Sequence, residues 1–182
     1  TAVTEVDKRI VEVIDVEKIL SEVSPLSEEI SDSVLNDDMV SLASAGDLAV
    51  LIADDSSVAR KQIKRCVEKV GVKTKLVADG RKALDHLLEI VEAGEAVSDH
   101  YIMLISDIEM PEMDGYTLTT RIKQDPRLAD LHVLLHTSLS GVFNEAMVKR
   151  VGADDFLAKF KPDSLANLVQ VEVNRTLESK RG

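Results

Sequence analysis

Leu48-Ala49-Val50-Leu51-Ile52-Ala53-Asp54-Asp55 is a run of six apolar residues closed by two carboxylates. Tyr101-Ile102-Met103-Leu104-Ile105-Ser106-Asp107 has the same form. Both runs are short and almost uninterrupted, whereas a half-exposed strand would alternate. That pattern suits parallel strands buried on both faces of a sheet. Three more runs follow it. Residues 74–78 stop at Asp79-Gly80, residues 132–136 at Thr137, and residues 156–158 at Lys159. Strands are therefore predicted at 48–53, 74–78, 101–107, 132–137 and 155–159.

Helical stretches fill the gaps, at 57–70, 80–93, 115–124, 144–151 and 163–178. Ala83, Leu84, Leu87, Leu88 and Val91 form one apolar stripe. Leu165, Val169, Val173 and Leu177 form another at i, i+4 spacing. Parallel strands need crossover connections, so five strand–helix units imply a doubly wound α/β domain. Gly71, Gly94 and Gly152 follow three of the helices as C-terminal glycines do. Asp79 can cap the second helix and Pro162 can open the last.

The composition narrows the function. The chain has 182 residues, 45% of them hydrophobic, with only 3% aromatics and no Trp, so the core is aliphatic. A net charge of −11 opposes binding to nucleic acid or an anionic membrane surface. No run reaches the ~18–20 apolar residues of a membrane span, so membrane insertion is not expected. No signal peptide is read either, and the expected compartment is the cytoplasm. Cys66 falls in a helical apolar stripe and reads as inert core filler. His132 and His136 read as strand residues, His86 and His100 as surface residues.

In an open parallel sheet, ligands bind outside the carboxyl ends of the strands. There the endings Asp54-Asp55, Asp107, Thr137 and Lys159 can meet. Two carboxylates ~4 Å apart repel by about 4 kcal/mol at an effective dielectric near 20. Such a group takes up a proton or binds a cation. An all-oxygen set with open positions suits Mg²⁺. Asp107 could then attack a phosphoryl group, Thr137 donate a hydrogen bond to it, and Lys159 meet its developing charge. Each residue also has a plainer reading. Asp55 could cap a helix, Asp114-Gly115 could merely turn the chain and cap the next helix, Thr137 could be a cap or turn residue, and Lys159 could be solvated. Met110 and Met113 read as packing, and Asp79-Gly80 reads as an ordinary turn.

The motifs Ile52-Ala53-Asp54-Asp55-Ser56 and Ser106-Asp107-Ile108-Glu109-Met110-Pro111-Glu112-Met113-Asp114-Gly115 resemble those of the receiver domain of two-component response regulators. Thr137 and Gly152-Ala153-Asp154-Asp155-Phe156-Leu157-Ala158-Lys159 extend the resemblance over residues 48 to about 178. It implies a flavodoxin-like fold, a five-stranded parallel sheet in the order 2-1-3-4-5. It also implies that Asp107 accepts a phosphoryl group from a kinase phosphohistidine. Asp54, Asp55, Asp107 and the backbone carbonyl of Glu109 would hold Mg²⁺. Thr137 and Phe156 would form the switch, moving the loop and helix after the fourth strand. The module would not be an enzyme beyond its own phosphorylation and dephosphorylation. Two departures stand out. Phe160 follows Lys159 where the family has a cis proline. Glu109 places a carboxylate two residues past the acceptor, where it is expected to alter metal affinity or hinder the hydrolytic water.

His136-Thr137-Ser138-Leu139-Ser140-Gly141 and Lys159-Phe160-Lys161-Pro162-Asp163 look like the receiver of CheV-type chemotaxis coupling proteins. Val11-Glu12-Val13-Ile14-Asp15-Val16-Glu17-Lys18-Ile19-Leu20 is similar to the last strand and terminal helix of a CheW-like adaptor domain. From the residues alone, this N-terminal stretch fits a strand or a helical face. The resemblance implies a remnant adaptor at 1–20 and a receiver at 48–182. Its partners would be a CheA-type histidine kinase and, through the missing adaptor, chemoreceptors. Residues 21–47 contain no Lys or Arg and read as a solvated acidic linker with one weak helix around 27–42. Two other readings are weighed. A receiver-like binding module without phosphotransfer is opposed by the intact aspartates, Thr137 and Lys159. A phosphohydrolase of the haloacid dehalogenase type would need Asp-x-Asp where Asp54-Asp55-Ser56 stands.

Overall fold

The computed structural model describes residues 2–6, 9–13, 30–31, 34, 37–137, 142–159 and 161–180. In chain order the elements are β1 (Ala2–Val6), β2 (Arg9–Val13), α1 (Asp37–Ala45), β3 (Ala49–Ala53), α2 (Ser57–Lys69), β4 (Lys73–Val77), α3 (Gly80–Glu92) and α4 (Val97–His100). There follow β5 (Met103–Ser106), α5 (Gly115–Gln124), β6 (His132–Thr137), α6 (Val142–Val151), β7 (Asp155–Ala158) and α7 (Pro162–Ser179). The predicted strands and helices of the α/β unit are all present, with ends shifted by a residue or two.

β4-β3-β5-β6-β7 form one parallel sheet, which is the expected 2-1-3-4-5 order. Val50 pairs with Met103 and Thr74, and Met103 with His132, so the central strands run level. Consecutive side chains point to opposite faces. Val50, Ile52, Met103, Ile105 and Leu134 face α2 and α7, against Ile63, Val67, Leu165 and Val169. Leu51, Ala53, Leu104 and Val133 face α3 and α5, against Leu84, Leu87, Leu118 and Ile122. β3, β5 and β6 are thus apolar nearly throughout because both faces are covered. The edge strand β4 exposes Lys73 and Lys75, charges that discourage further strand pairing.

The caps act as read. Asp79 accepts from Lys82 N at 2.8 Å, and Asp114 from Thr117 N at 2.8 Å. Pro162 opens α7. Cys66 is buried, and burial pushes its thiol up to about 12, so it stays an unreactive packing group. His86 and His100 are half-buried rather than purely superficial. His86 Nε2 lies 2.7 Å from the Tyr101 hydroxyl, and His100 Nε2 lies 2.5 Å from Glu95.

The N-terminal side holds more structure than the sequence promised. β1 and β2 form an antiparallel hairpin, Ala2 opposite Val13 and Val6 opposite Arg9. Of the Val11–Leu20 stretch likened to a last strand and terminal helix, residues 14–20 lie outside the described residues. Residues 21–47 are not merely a solvated linker. Ile30 and Ala43 are buried in the α2–α7 core, and the helix sits at Asp37–Ala45, later than expected. Low basic content made this stretch look solvated, but a few apolar residues at suitable spacing suffice to dock it.

Candidate functional site

The strand endings do converge. Asp107 N donates to Ala53 O at 2.8 Å, which carries the β3–β5 pairing on to Asp107. Lys159 N donates to Thr137 O at 2.8 Å, which does the same between β7 and β6. Asp54 N donates to Val77 O at 3.3 Å, extending β3 along β4. Asp54, Asp107, Thr137 and Lys159 are all buried, while Asp55 is exposed at the rim.

Asp54 turns its carboxylate inward because Oδ1 accepts from Ser56 N at 2.8 Å, a local turn that aspartate favours. Ser56, not Asp55, then caps α2 by accepting from Ala59 N at 3.3 Å. Asp55 is therefore released from the capping role and keeps its carboxylate for the site. Oxygens of Asp54, Asp55 and Asp107 all lie within 4.8 Å of one another. Lys159 Nζ is 2.9 Å from Asp107 Oδ2 and 3.1 Å from Asp54 Oδ2. The proline departure at Phe160, itself outside the described residues, has not displaced the lysine.

The pocket holds more negative charge than Lys159 neutralises. Burial, reinforced by the charge on Asp107, raises Asp54 from 3.8 to about 6 despite the lowering effect of Lys159. Asp54 Oδ2 is at ion-pair distance from Lys159 but lacks a well-aligned hydrogen bond. A buried carboxylate oxygen with unused acceptor capacity, beside two more carboxylates, fits a hard cation. Among the described residues this is the group of acidic side chains placed to hold a metal ion.

Two glycines set the loop after Asp107. A Cβ on Gly115 would lie 2.2 Å from Asp107 O, so only glycine lets α5 start against the end of β5. A Cβ on Gly80 would lie 2.4 Å from Met113 O. The turn at Asp79-Gly80 is thus more than a turn: it braces the far side of the loop after Asp107. Glu109 lies on that loop with its side chain exposed, and Met110 and Met113 are buried against the α3–α5 face. Thr137 ends β6, two residues past the Ser106–Leu135 pair. Residues 138–141 of the expected switch loop lie outside the described residues. Phe156 is half-buried opposite Leu135 and packs with Ile108, Val148 and Tyr116.

Two further residues belong to the site and were not singled out from sequence. Arg60 Nη1 donates to the carbonyl of Asp54, holding the turn that carries both aspartates. His136 is buried on the sheet face shared by Leu134 and Ile105, the face toward which Asp107 also points. Burial and the nearby Lys159 charge push His136 down to about 3, so it is neutral. A histidine within an apolar run, one residue before Thr137, was the available signal. Arg60 and Gly80 gave no comparable one.

A doubly wound sheet with three carboxylates and a lysine at its carboxyl edge defines a receiver-type α/β module. The chain belongs to the response regulator receiver domain family, which residues 50–170 match. It is 30% identical to the chemotaxis protein CheV1 of Helicobacter pylori over 165 residues, covering 90% of this chain and 49% of that protein. CheV3 of the same organism is 32% identical over 130 residues, covering 71% of this chain and 40% of that protein. The chain thus spans about half the length of the curated relatives it matches. Among solved structures, a response regulator of Chloroflexus aurantiacus superposes with a TM-score of 0.61 at 27% identity, covering 70% of this chain and 98% of that one. The chemotaxis protein CheY4 of Vibrio cholerae gives 0.59 at 26% identity, covering 68% and 97%. No helix among the described residues is long and apolar enough to cross a membrane.

Proposed function

We propose that this chain is the phospho-accepting receiver of a CheV-like chemotaxis protein, with Asp107 as acceptor. The observation that carries the reading is Lys159 Nζ lying 2.9 Å from Asp107 and 3.1 Å from Asp54, within a trio of carboxylates. An oxygen of Asp107 forms a bond to the phosphorus of a kinase phosphohistidine. The phosphorus–nitrogen bond breaks, and the imidazole leaves as the neutral base after taking up a proton. Asp54, Asp55, Asp107 and the Glu109 carbonyl would hold Mg²⁺, which supplies charge neutralisation at the phosphoryl oxygens. Lys159 pairs with the added charge, and Asp54 and Asp107 keep it in place meanwhile. Asp54 must be ionised for this, so the site works best above about pH 6.

Phosphorylation takes Asp107 from one negative charge to nearly two. Thr137, Phe156 and the segment after β6 form the responsive part, and α6 carries the change outward. The bias is a population shift, bounded by the difference in stabilisation of two states. The kinase would be of the CheA type and the setting cytoplasmic. Residues 1–20, including the hairpin, would be the end of a CheW-like adaptor through which chemoreceptors are reached. The similarity to CheV1 over nine-tenths of this chain supports that reading.

The deciding experiment is transfer of labelled phosphoryl from the phosphorylated kinase in Mg²⁺ to wild type and to Asp107→Ala. Label on wild type alone is expected. An unlabelled wild type, or equal label on both, refutes the proposal.

A further inference from the structure

The segment preceding the receiver is fastened to it at several points. Ser31 donates from N and Oγ to the two carboxylate oxygens of Asp163, each at 2.8 Å. Ile30 is buried in the same apolar cluster as Leu165, Ala166 and Val169 of α7. Gln170 Nε2 donates to Val34 O at 3.0 Å. On the α2 side Ser44 Oγ donates to Gly71 O at 3.3 Å. Gly71 has φ +88°, and a Cβ there would lie 2.5 Å from Val40 O, so the strap and the α2–β4 turn touch backbone to backbone. All the strap residues precede the span that matches the receiver family.

The strap's anchor is close to the acceptor site along the chain. Asp163 is in the first turn of α7, four residues after Lys159. Lys159 is held at its backbone by Thr137 and at its ammonium by Asp54 and Asp107. Cys66 Sγ donates to Pro162 O at 3.4 Å, so the same connection is also tied to α2. A second negative charge at Asp107 would draw Lys159 away from its present sharing with Asp54. Asp163 follows Lys159 by only four positions in the chain, so a displacement of Lys159 has a short way to go to the Ser31–Asp163 bonds.

We propose that the strap of Ile30, Ser31, Val34 and α1 is the receiver's own partner on the α2–α7 face, and that its docking opposes phosphoryl charge at Asp107. This rests on the phospho-acceptor reading above. The contacts seen are those of the unphosphorylated arrangement, and a state that moves Lys159 together with the start of α7 would loosen them. The strap would then report phosphorylation to whatever precedes it in the chain. Linkage makes the effect reciprocal: whatever factor the phosphoryl group imposes on the strap, the strap imposes on the phosphoryl group.

The test uses the full chain with Mg²⁺ and beryllofluoride as the phosphoryl mimic. Amide exchange across α1 and at Ser31 is measured with and without the mimic, and mimic affinity is measured for wild type and Ile30→Ser. Exchange should rise, and Ile30→Ser should bind the mimic about 5-fold more tightly or better, the lower range of typical coupling. Should Ile30→Ser unfold, Gln170→Ala removes only the bond to Val34 O and should shift affinity in the same direction. A wild type that binds the mimic with unchanged strap exchange, or variants with wild-type affinity, overturns the coupling alone. A wild type that does not bind the mimic overturns the phospho-acceptor reading and this inference with it.

Discussion

Asp54→Asn should make the metal-free protein more stable, although it removes a residue that the proposed function requires. Asp54 is fully buried, and its carboxyl is raised from 3.8 to about 6, with burial as the main cause. A group whose folded pKa lies above its unfolded value binds more protons when folded, so it costs stability once ionised. At 1.36 kcal/mol per pKa unit, the cost is about 3 kcal/mol well above pH 6. It falls to about 1 kcal/mol near pH 4.5 and disappears below the unfolded value. Asparagine keeps the oxygen that accepts from Ser56 N and resembles the protonated acid in shape. Urea unfolding followed by circular dichroism, in chelator, should therefore place Asp54→Asn about 3 kcal/mol above wild type at pH 7.5 and about 1 kcal/mol above it at pH 4.5. Mg²⁺ at 1,000 times its Kd should reverse the order at pH 7.5, since it adds about 4.1 kcal/mol to wild type only. A variant no more stable than wild type at pH 7.5, or an advantage that ignores pH, would refute the reasoning.

Three other substitutions follow from the same geometry. His136 is pushed from 6.5 down to about 3, so its contribution is present above 6.5 and is lost as pH falls toward 3. His136→Leu should remove that loss and gain about 2–3 kcal/mol on wild type between pH 7.5 and 4.5; parallel unfolding profiles would count against it. Gly80→Ala puts a Cβ into the Met113 carbonyl and should cost about 1–3 kcal/mol by overpacking, with lowered Mg²⁺ affinity as the loop moves. Wild-type values for both in a titration and a urea melt would show that the brace is dispensable. Glu109→Ala should change Mg²⁺ affinity or shorten the life of the acyl phosphate, and a variant matching wild type in both measurements would show that the Glu109 side chain plays no part, leaving only its backbone carbonyl to the site.

The sheet was legible because its strands are buried on both faces, which writes them as continuous apolar runs. Their C-terminal residues were legible for a different reason: Asp54, Asp107, Thr137 and Lys159 break those runs abruptly. What stayed hidden depends on partners distant in sequence. Gly80 looks like any glycine after an aspartate until Met113 is placed 33 residues further along the chain, against it. Arg60 looks like a solvated helix residue until its guanidinium meets the carbonyl of Asp54. The strap was misjudged because composition averages over residues. Ile30, Val34 and Ala43 are few among many acidic and hydroxyl side chains, yet they are the ones that meet α2 and α7.

His136 shows why the site tolerates such groups together. The buried histidine and the buried Asp54 carry opposite pH penalties. Acidification from about pH 6 to 4 relieves Asp54 and burdens His136, each at up to about 1.36 kcal/mol per pH unit. Over that window the two slopes cancel, so wild type should show a flat contribution from the pair where either single variant slopes. Above pH 6.5 neither group changes charge, and Asp54 holds a cost that a bound cation can relieve. The stability given up by the metal-free protein is therefore the same free energy that favours cation binding. That ties the buried carboxylate raised to about 6 to the function proposed for the site. A Mg²⁺ affinity that did not fall as pH drops through 6 would break the tie, because protonation of Asp54 must then compete with nothing.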